Sequence, residues 1–435
     1  MTDLSIDARL LAPDNDRHGA NLTIVAVAAA ILLAGAVALS GTISWRQGWL
    51  FLLGGALGLT LYHALFGFTS AWRVFIVTRR GAGLRAQMVM LALATALFFP
   101  ALAQGSLFGE AVHGELGAVG IGMVTGTFLF GLGMQLGGGC ASGTLYTAGG
   151  GNTRMLVTLA AFIAGSTLGA LHLPWWSALP NVGTVSLIES LGWLPALVLC
   201  WAVMAAIYVL TRMAEIRRHG DLEPGARTKL RGARRFMQGP WPLLWGAVLL
   251  AIGNFATLYL AGRPWGITSA FALWGSKVLM SFGGVDVASW SYWQGARAAS
   301  LHQSIFADVT SVMDFGIIIG ALLAAGLAGK FNPTWRISGR SLVAAILGGL
   351  LLGYGARLAY GCNIGAYFSG IASGSLHGWC WLVAAFLGNI LGTQRRPCSA
   401  WLSNARSSPL HPRRRWACWT IASSSARSPR RSPLS

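Results

Sequence analysis

The chain has 435 residues, 54% of them hydrophobic and only 10% charged, against about a quarter charged in an ordinary soluble domain. With 58 Gly and 19 Trp besides, too little polar surface is left to coat a water-soluble protein of this size, and the chain is too apolar to stay disordered. The formal net charge of +19 comes from bases clustered between apolar runs. Basic cytoplasmic loops of a membrane protein give that pattern, so a nucleic-acid partner is not needed to explain it.

A helix crosses a bilayer with about 20 apolar residues. Residues 1–21 read as a cytoplasmic segment. Asp3, Asp7, Asp14 and Asp16 stand there beside only Arg9 and Arg17, unlike the basic start of a signal peptide, so the first apolar run is a retained span. Ten runs follow in order: 22–40, 48–66, 86–104, 117–138, 154–171, 191–211, 242–261, 309–329, 340–360 and 376–393. They predict an all-α, polytopic transmembrane bundle of about ten spans. Arg73, Arg79, Arg80 and Arg85 follow the second run, eight bases between Arg212 and Arg235 follow the sixth, and Lys330, Arg336 and Arg340 follow the eighth. The alternate loops hold Arg46, Arg263, Lys277 and Arg297, together with Glu110, Glu115 and Glu189. This asymmetry places the N-terminus and the basic loops in the cytoplasm of a bacterial inner (plasma) membrane.

An internal repeat runs through these spans. Gly131–Gly143 and Gly353–Gly365 both read G-x-G-x-x-L-x-x-G-C-x-x-G, with the cysteines at Cys140 and Cys362. Gly67-Phe-Thr-Ser-Ala-Trp72 and Gly266-Ile-Thr-Ser-Ala-Phe271 form an earlier matching pair. The chain therefore divides into a first repeat (22–211), a basic cytoplasmic linker (212–239) and a second repeat (240–393). The span before Cys140 runs inward and the span before Cys362 outward, which makes the repeat inverted, as in many transporters. The Gly-rich stretches 137–151 and 365–375 are poor continuous helices and predict short re-entrant helices, tolerated at membrane depth only where protein or a polar path covers them. Cys140 and Cys362, with Gly139, Gly143, Gly361 and Gly365, are the candidate substrate path. Arg357, five residues before Cys362 and matched by Gln135, is the candidate charge for an anion, with snorkelling to the interface as its alternative. Cys200 reads as helix packing.

These motifs resemble the YeeE/YedE family of prokaryotic membrane proteins, the sulphur-transport family, over roughly residues 48–393, and Gly353–Gly392 resembles the YedE-type members most. The resemblance implies an inverted-repeat helical fold and import of thiosulfate or a related sulphur or selenium species. It also implies passage of the anion along cysteines that correspond to Cys140 and Cys362. Many members have Cys-Phe-Thr-Ser-Ala where this chain has Gly67–Ala71, so a third thiol is absent.

Neutral thiols suit such a substrate, because each offers a weak S–H donor to a polarizable sulphur atom and a ladder of weak sites lets an anion leave again. Two further classes compete: a membrane thiol-redox or sulphur-relay protein, and an anchor that docks a soluble sulphurtransferase on the basic linker. The chain has no C-x-x-C pair, no haem-type His pair and no nucleotide-binding loop, so an enzyme, a metal and a cofactor are not expected. Asp314 reads as half of an ion pair, with Arg357 as a candidate partner, or as a helix cap, with a proton-carrying role as the alternative. His63, His172, His302 and His377 read as interfacial, and Trp175, Trp176, Trp290 and Trp293 as an aromatic belt. From Thr393 on, nine Arg, ten Ser and five Pro meet no acid. Residues 394–435 therefore read as a disordered, frameshifted or divergent tail, with a lipid-touching basic tail as the alternative.

Overall fold

The computed structural model describes residues 19–223, 232–333 and 335–395; the readings made for residues 1–18, for Arg227, Lys229 and Arg231, and for the tail beyond Arg395 lie outside them. The helices, numbered in chain order, begin with α1 (Leu22–Thr42) and α2 (Trp45–His63). Each starts where a side chain takes an otherwise unpaired N–H of its first turn: Asn21 accepts from Ile24, and Ser44 from Gln47. Then come α3 (Phe68–Thr78), α4 (Ala82–Gln104), α5 (Ile121–Gly137), α6 (Ala141–Gly149) and α7 (Thr153–Ser177). The short α8 (Leu187–Leu191) leads into α9 (Trp193–His219), and α10 (Gly232–Gln238) into α11 (Leu243–Ala261). The second half continues with α12 (Thr268–Phe282), α13 (Ala298–His302), α14 (Val309–Leu327) and α15 (Gly339–Leu358). A π-helical stretch, Asn363–Ser369, runs into α16 (Gly370–Ala372), and α17 (Leu376–Arg395) closes the described chain. Two small antiparallel ribbons, Ser106–Leu107 with Glu110–Ala111 and Ala118–Gly120 with Asn181–Thr184, tie down the loops.

Among the described residues, ten helical segments are long and apolar enough to span a membrane, in the order the apolar runs gave. The differences lie in what joins them. The sequence reading left 68–78 and 268–282 in loops, and both are helices, so Arg73 and Lys277 sit on helices rather than on loops. With 11 and 15 residues, each is too short to cross a membrane by itself. The sixth span also continues past residue 211, carrying Arg212, Arg217 and Arg218 on its last turns, where bases complement the helix dipole.

The two halves are related by inversion. α2 and α11 run antiparallel, with Gly246 against Ala64 and Gly253 against Leu57. α5 and α15 do the same, with Gly126 against Leu358 and Gly133 against Gly348. The closest helix contacts join one half to the other: α7 to α15, α2 to α14 and α5 to α17. Glycine makes them possible. A Cβ on Gly58, Gly320, Gly353, Gly165, Gly131 or Gly388 would drive into a backbone carbonyl of the facing helix, so these residues let backbones touch, as small residues do in membrane bundles. α9 lies along α4. The second repeat has no described helix after α17, but α1 lies along α14, in the place that symmetry gives the partner of α9.

One face of the bundle carries Arg79, Arg80 and the end of α9. There the buried Glu215 carboxylate accepts from Arg85 Nη1 at 2.6 Å, Arg80 Nη1 at 3.2 Å and the backbone N–H groups of Gly81 and Glu223. A buried carboxylate stays charged only when saturated in this way. It fixes the end of α9 to the turn between α3 and α4, and we call this side the basic face.

Candidate functional site

Both repeats break their helices at the same motif. α5 stops at Gly138 (φ +91°), and α15 runs to Leu358 before Tyr360 turns left-handed (φ +61°). The first copy meets this conformation with glycine; the second forces a tyrosine into it, a strained choice that recurs at functional sites. The following residue is glycine in both, tightly placed in the first copy and obligatory in the second. A Cβ on Gly139 would sit 3.3 Å from Thr144 N, and one on Gly361 (φ +154°) 2.9 Å from Ala366 N. Each glycine lets the chain fold back onto the first turn of the next short helix.

Cys140 and Cys362 are the N-cap residues of those short helices. Cys140 Sγ accepts from Gly143 N at 3.4 Å and lies 3.3 Å from Ser142 Oγ. Cys362 Sγ accepts from Ile364 N at 3.4 Å. Both thiols are buried, and α6 packs against the Asn363–Ser369 stretch, so the two caps face a shared centre. A sulphur whose lone pair is held by a backbone N–H still has its S–H to donate, and the positive ends of two short helices favour negative charge there. Gly143 and Gly365 lie within the first turns, with a Cβ on Gly143 3.4 Å from Cys140 Sγ and one on Gly365 3.8 Å from Gly266 Cα.

The α3 and α12 N-termini complete the site, and the sequence reading missed them. Thr69 Oγ1 sits beside the Cys140 sulphur and makes no hydrogen bond of regular geometry. Gln135 Nε2 donates to Thr69 O at 3.3 Å and to Asn389 Oδ1 at 2.6 Å. In the second copy Arg357 takes the place of Gln135, and its Nη2 donates to Thr268 Oγ1 at 3.2 Å. The Thr-Ser-Ala pairs at 69–71 and 268–270 were the available signal. Gly67, the position of the absent third thiol, is the N-cap of α3, and a Cβ there would run into Ser70 Oγ and lie 3.4 Å from Tyr146 Oη.

Arg357 does not snorkel. It is buried, its Nη1 donates to Tyr292 Oη, and its guanidinium lies 5.3 Å from the Tyr292 ring centre. No carboxylate pairs with it among the described residues. Arg297 lies over the same ring at 4.9 Å, and Arg263 donates to Thr310 Oγ1 at 2.9 Å. In the loop after α4, burial pushes the Glu115 carboxyl up, while Arg263, Arg357 and Arg297 pull it down. This side, opposite the basic face, thus gathers three arginines around one carboxyl.

Four aromatic side chains, Phe68, Trp72, Tyr367 and Trp381, stand together, with Tyr367 stacked on Trp381 at 5.9 Å and edge-on to Trp72 at 5.9 Å. Tyr367 Oη, Trp381 Nε1 and both amide atoms of Asn363, next to Cys362, are buried with no hydrogen bond among the described residues. Buried polar atoms of this kind usually have a partner, and here those of Asn363 stand beside Cys362. A cavity of about 210 Å³ lined by Ile121, Trp176, Leu358 and Tyr360 touches neither cysteine.

Several side readings change. His63 and His377 are buried rather than interfacial, His63 against Trp241 and His377 Nδ1 against Ser375 Oγ. Trp293 is buried with its Nε1 on Ser276 Oγ at 2.9 Å, so it does not belong to an aromatic belt. Asp314 neither pairs with Arg357 nor caps a helix. The cap of α14 is Asp308, whose carboxylate accepts from Ser311 N at 2.7 Å.

The family described as sulphur transport matches residues 63–391 of this chain. The chain belongs to the sulphur transport family. Its similarity to the thiosulfate transporter TsuA of Spirochaeta thermophila runs to 28% identity over 359 residues, 78% of this chain and 95% of that protein. TsuA of Escherichia coli K12 is 24% identical over 353 residues, 77% of this chain and 90% of that protein. The probable transporter YedE of the same bacterium is 33% identical over 148 residues, 34% of this chain. That match spans about a third, 36%, of the YedE protein. Membership of the sulphur transport family and ten apolar helices among the described residues together make this a multi-pass membrane protein.

Proposed function

We propose that the protein carries thiosulfate, or a closely similar small sulphur-containing anion, across the bacterial inner membrane along a central path past Cys362 and Cys140. The basic face lies in the cytoplasm and the arginine-rich side faces out. The observation that carries this reading is the pair of cysteines at matching N-caps of two inverted short helices that pack on each other. Arg263, Arg297 and Arg357 draw the anion to the outer side. Beyond them, the thiols and the N-termini of the short helices replace water with weak donors, so the anion is held at no single step. No bond is made or broken, and the protein acts as a permease rather than an enzyme. The names of the two TsuA relatives support thiosulfate as the cargo. A soluble sulphurtransferase at the cytoplasmic face fits as the acceptor of the delivered sulphur. The test is uptake of ³⁵S-thiosulfate into proteoliposomes holding the purified protein. Uptake is expected well above protein-free vesicles and is competed by unlabelled thiosulfate more strongly than by sulfate; no uptake above protein-free vesicles refutes the reading.

A further inference from the structure

Asp314 is a fully buried carboxyl in the second turn of α14, and neither of its oxygens has a hydrogen-bond partner among the described residues. Its place on the helix is informative. Residues four apart lie on one stripe of a helix, and Asp314 falls between Thr310 and Ile318. Thr310 Oγ1 accepts from Ser269 Oγ at 3.0 Å, in the first turn of α12. The Ile318 carbonyl lies against Gly149, at the end of α6. The stripe that bears Asp314 therefore faces the short helices of the site, and Asp314 lies near enough to Cys362 to interact with it electrostatically. Of the titratable groups around α14, Asp308 acts on Asp314, and Asp314 in turn acts on Cys362. Arg46 and Arg263 are engaged with Glu110 and Thr310, Lys277 with the Leu301 and Gln303 carbonyls, and Tyr146 lies against Cys140.

An ionised carboxylate in such a place, with no cation paired to it among the described residues, is costly to bury, whereas the neutral acid is tolerated and has an O–H to give. A carboxylate would also repel an arriving anion, and the acid would bind it. Resting on the proposal that the cargo is an anion passing Cys362, we propose that Asp314 is the proton-carrying residue of this transporter: it takes a proton from the outer side, donates its O–H to the anion, and gives the proton up to water on the inner side as the anion leaves. One proton then enters with each anion, and the unloaded carboxylate discourages return of the anion.

The test uses full-length protein in proteoliposomes with an entrapped pH dye, and reads ³⁵S-thiosulfate uptake and lumenal acidification together. Wild type is expected to acidify the lumen in proportion to uptake and to take up several times more label at external pH 6 than at pH 8. Asp314→Asn is expected to lower uptake severalfold, with the remainder independent of pH and without acidification, and Asp314→Glu to restore acidification. Wild-type uptake with no acidification overturns the proposal, even if the Asn variant fails to fold. Acidification by Asp314→Asn in the wild-type ratio overturns it too. Absence of any wild-type uptake refutes the anion reading itself, and the proton role with it, and is told apart by the label alone.

Discussion

Replacing Cys140 and Cys362 by alanine separates the roles of the two thiols in folding and in passage. For the fold, each thiol accepts one backbone N–H at 3.4 Å, a long contact, so loss of the cap is worth about 0.5–1 kcal/mol. The sulphur leaves a void of roughly 25 Å³, which adds ~0.6 kcal/mol at about 24 cal/mol per Å³. A single variant therefore loses ~1–1.5 kcal/mol, small against the usual stability of a folded protein, and should reach the membrane at near-normal levels. For passage, an anion stripped of water and left one donor short is worse off by about 1.5–3 kcal/mol, which is roughly ten- to a hundredfold in rate at limiting substrate. Each Cys→Ala variant should thus lose at least tenfold of thiosulfate uptake while keeping its amount and thermal stability, and Cys→Ser should recover only part. Cys200→Ala, on α9 away from the breaks, should be silent. Uptake into proteoliposomes, normalised to folded protein, and growth on thiosulfate as sole sulphur source read the outcome. Full growth of the Cys140→Ala, Cys362→Ala double variant would show the thiols to be packing groups and end the argument.

Other consequences can be checked in the same system. Arg357→Lys cannot hold both Tyr292 Oη and Thr268 Oγ1, so it should lose uptake by about tenfold, the worth of one charged hydrogen bond, with Arg357→Ala losing more; wild-type KM in both variants counts against a role in anion binding. The Gly67 backbone allows a side chain (φ −109°), but a Cβ there runs into Ser70 Oγ, so Gly67→Cys needs the Ser70 hydroxyl to turn away from Gly67 O; with that change it should raise thiosulfate uptake severalfold, and lower uptake at normal protein level contradicts the thiol ladder. A single cysteine placed at Glu110 should react with an impermeant reagent in intact cells, and one placed at Gly220 should not; the reverse pattern inverts the orientation.

What was legible in the sequence was whatever left a trace in hydropathy or in repetition. The ten spans are runs of apolar residues, and the inversion follows from an odd number of spans between two copies of one motif. Cys140 and Cys362 came from that motif and sit at its matching caps. Thr69 and Thr268 escaped because the 11 residues of α3 and the 15 of α12 cannot cross a bilayer, and a span-seeking reading has no place for them. Tyr292 escaped for a different reason: it lies in the irregular chain between α12 and α14, and only the folded loop brings it onto Arg357. Asp314 was visible as a charge within a span, but its lack of any partner is a property of the surroundings. The place of α1 beside α14 has no sequence trace either, since α1 and α9 share no motif; the match is one of position alone.

The backbone-deep contacts between α2 and α14, α7 and α15, and α5 and α17 bear on how such a protein can move. Each joins a helix of one half to a helix of the other, through glycines that admit no slack. Swinging one half as a rigid lever against its mate would have to unzip three such seams at once, with lipid tails offering nothing better in exchange. The parts not locked into these seams are the four short helices α3, α6, α12 and Asn363–Ser369, of which α3 and the last carry buried polar atoms without hydrogen bonds among the described residues. Entry and exit should therefore be governed by small tilts of these stubs within a stationary frame, more like the iris of a pore than the rocking of a cradle.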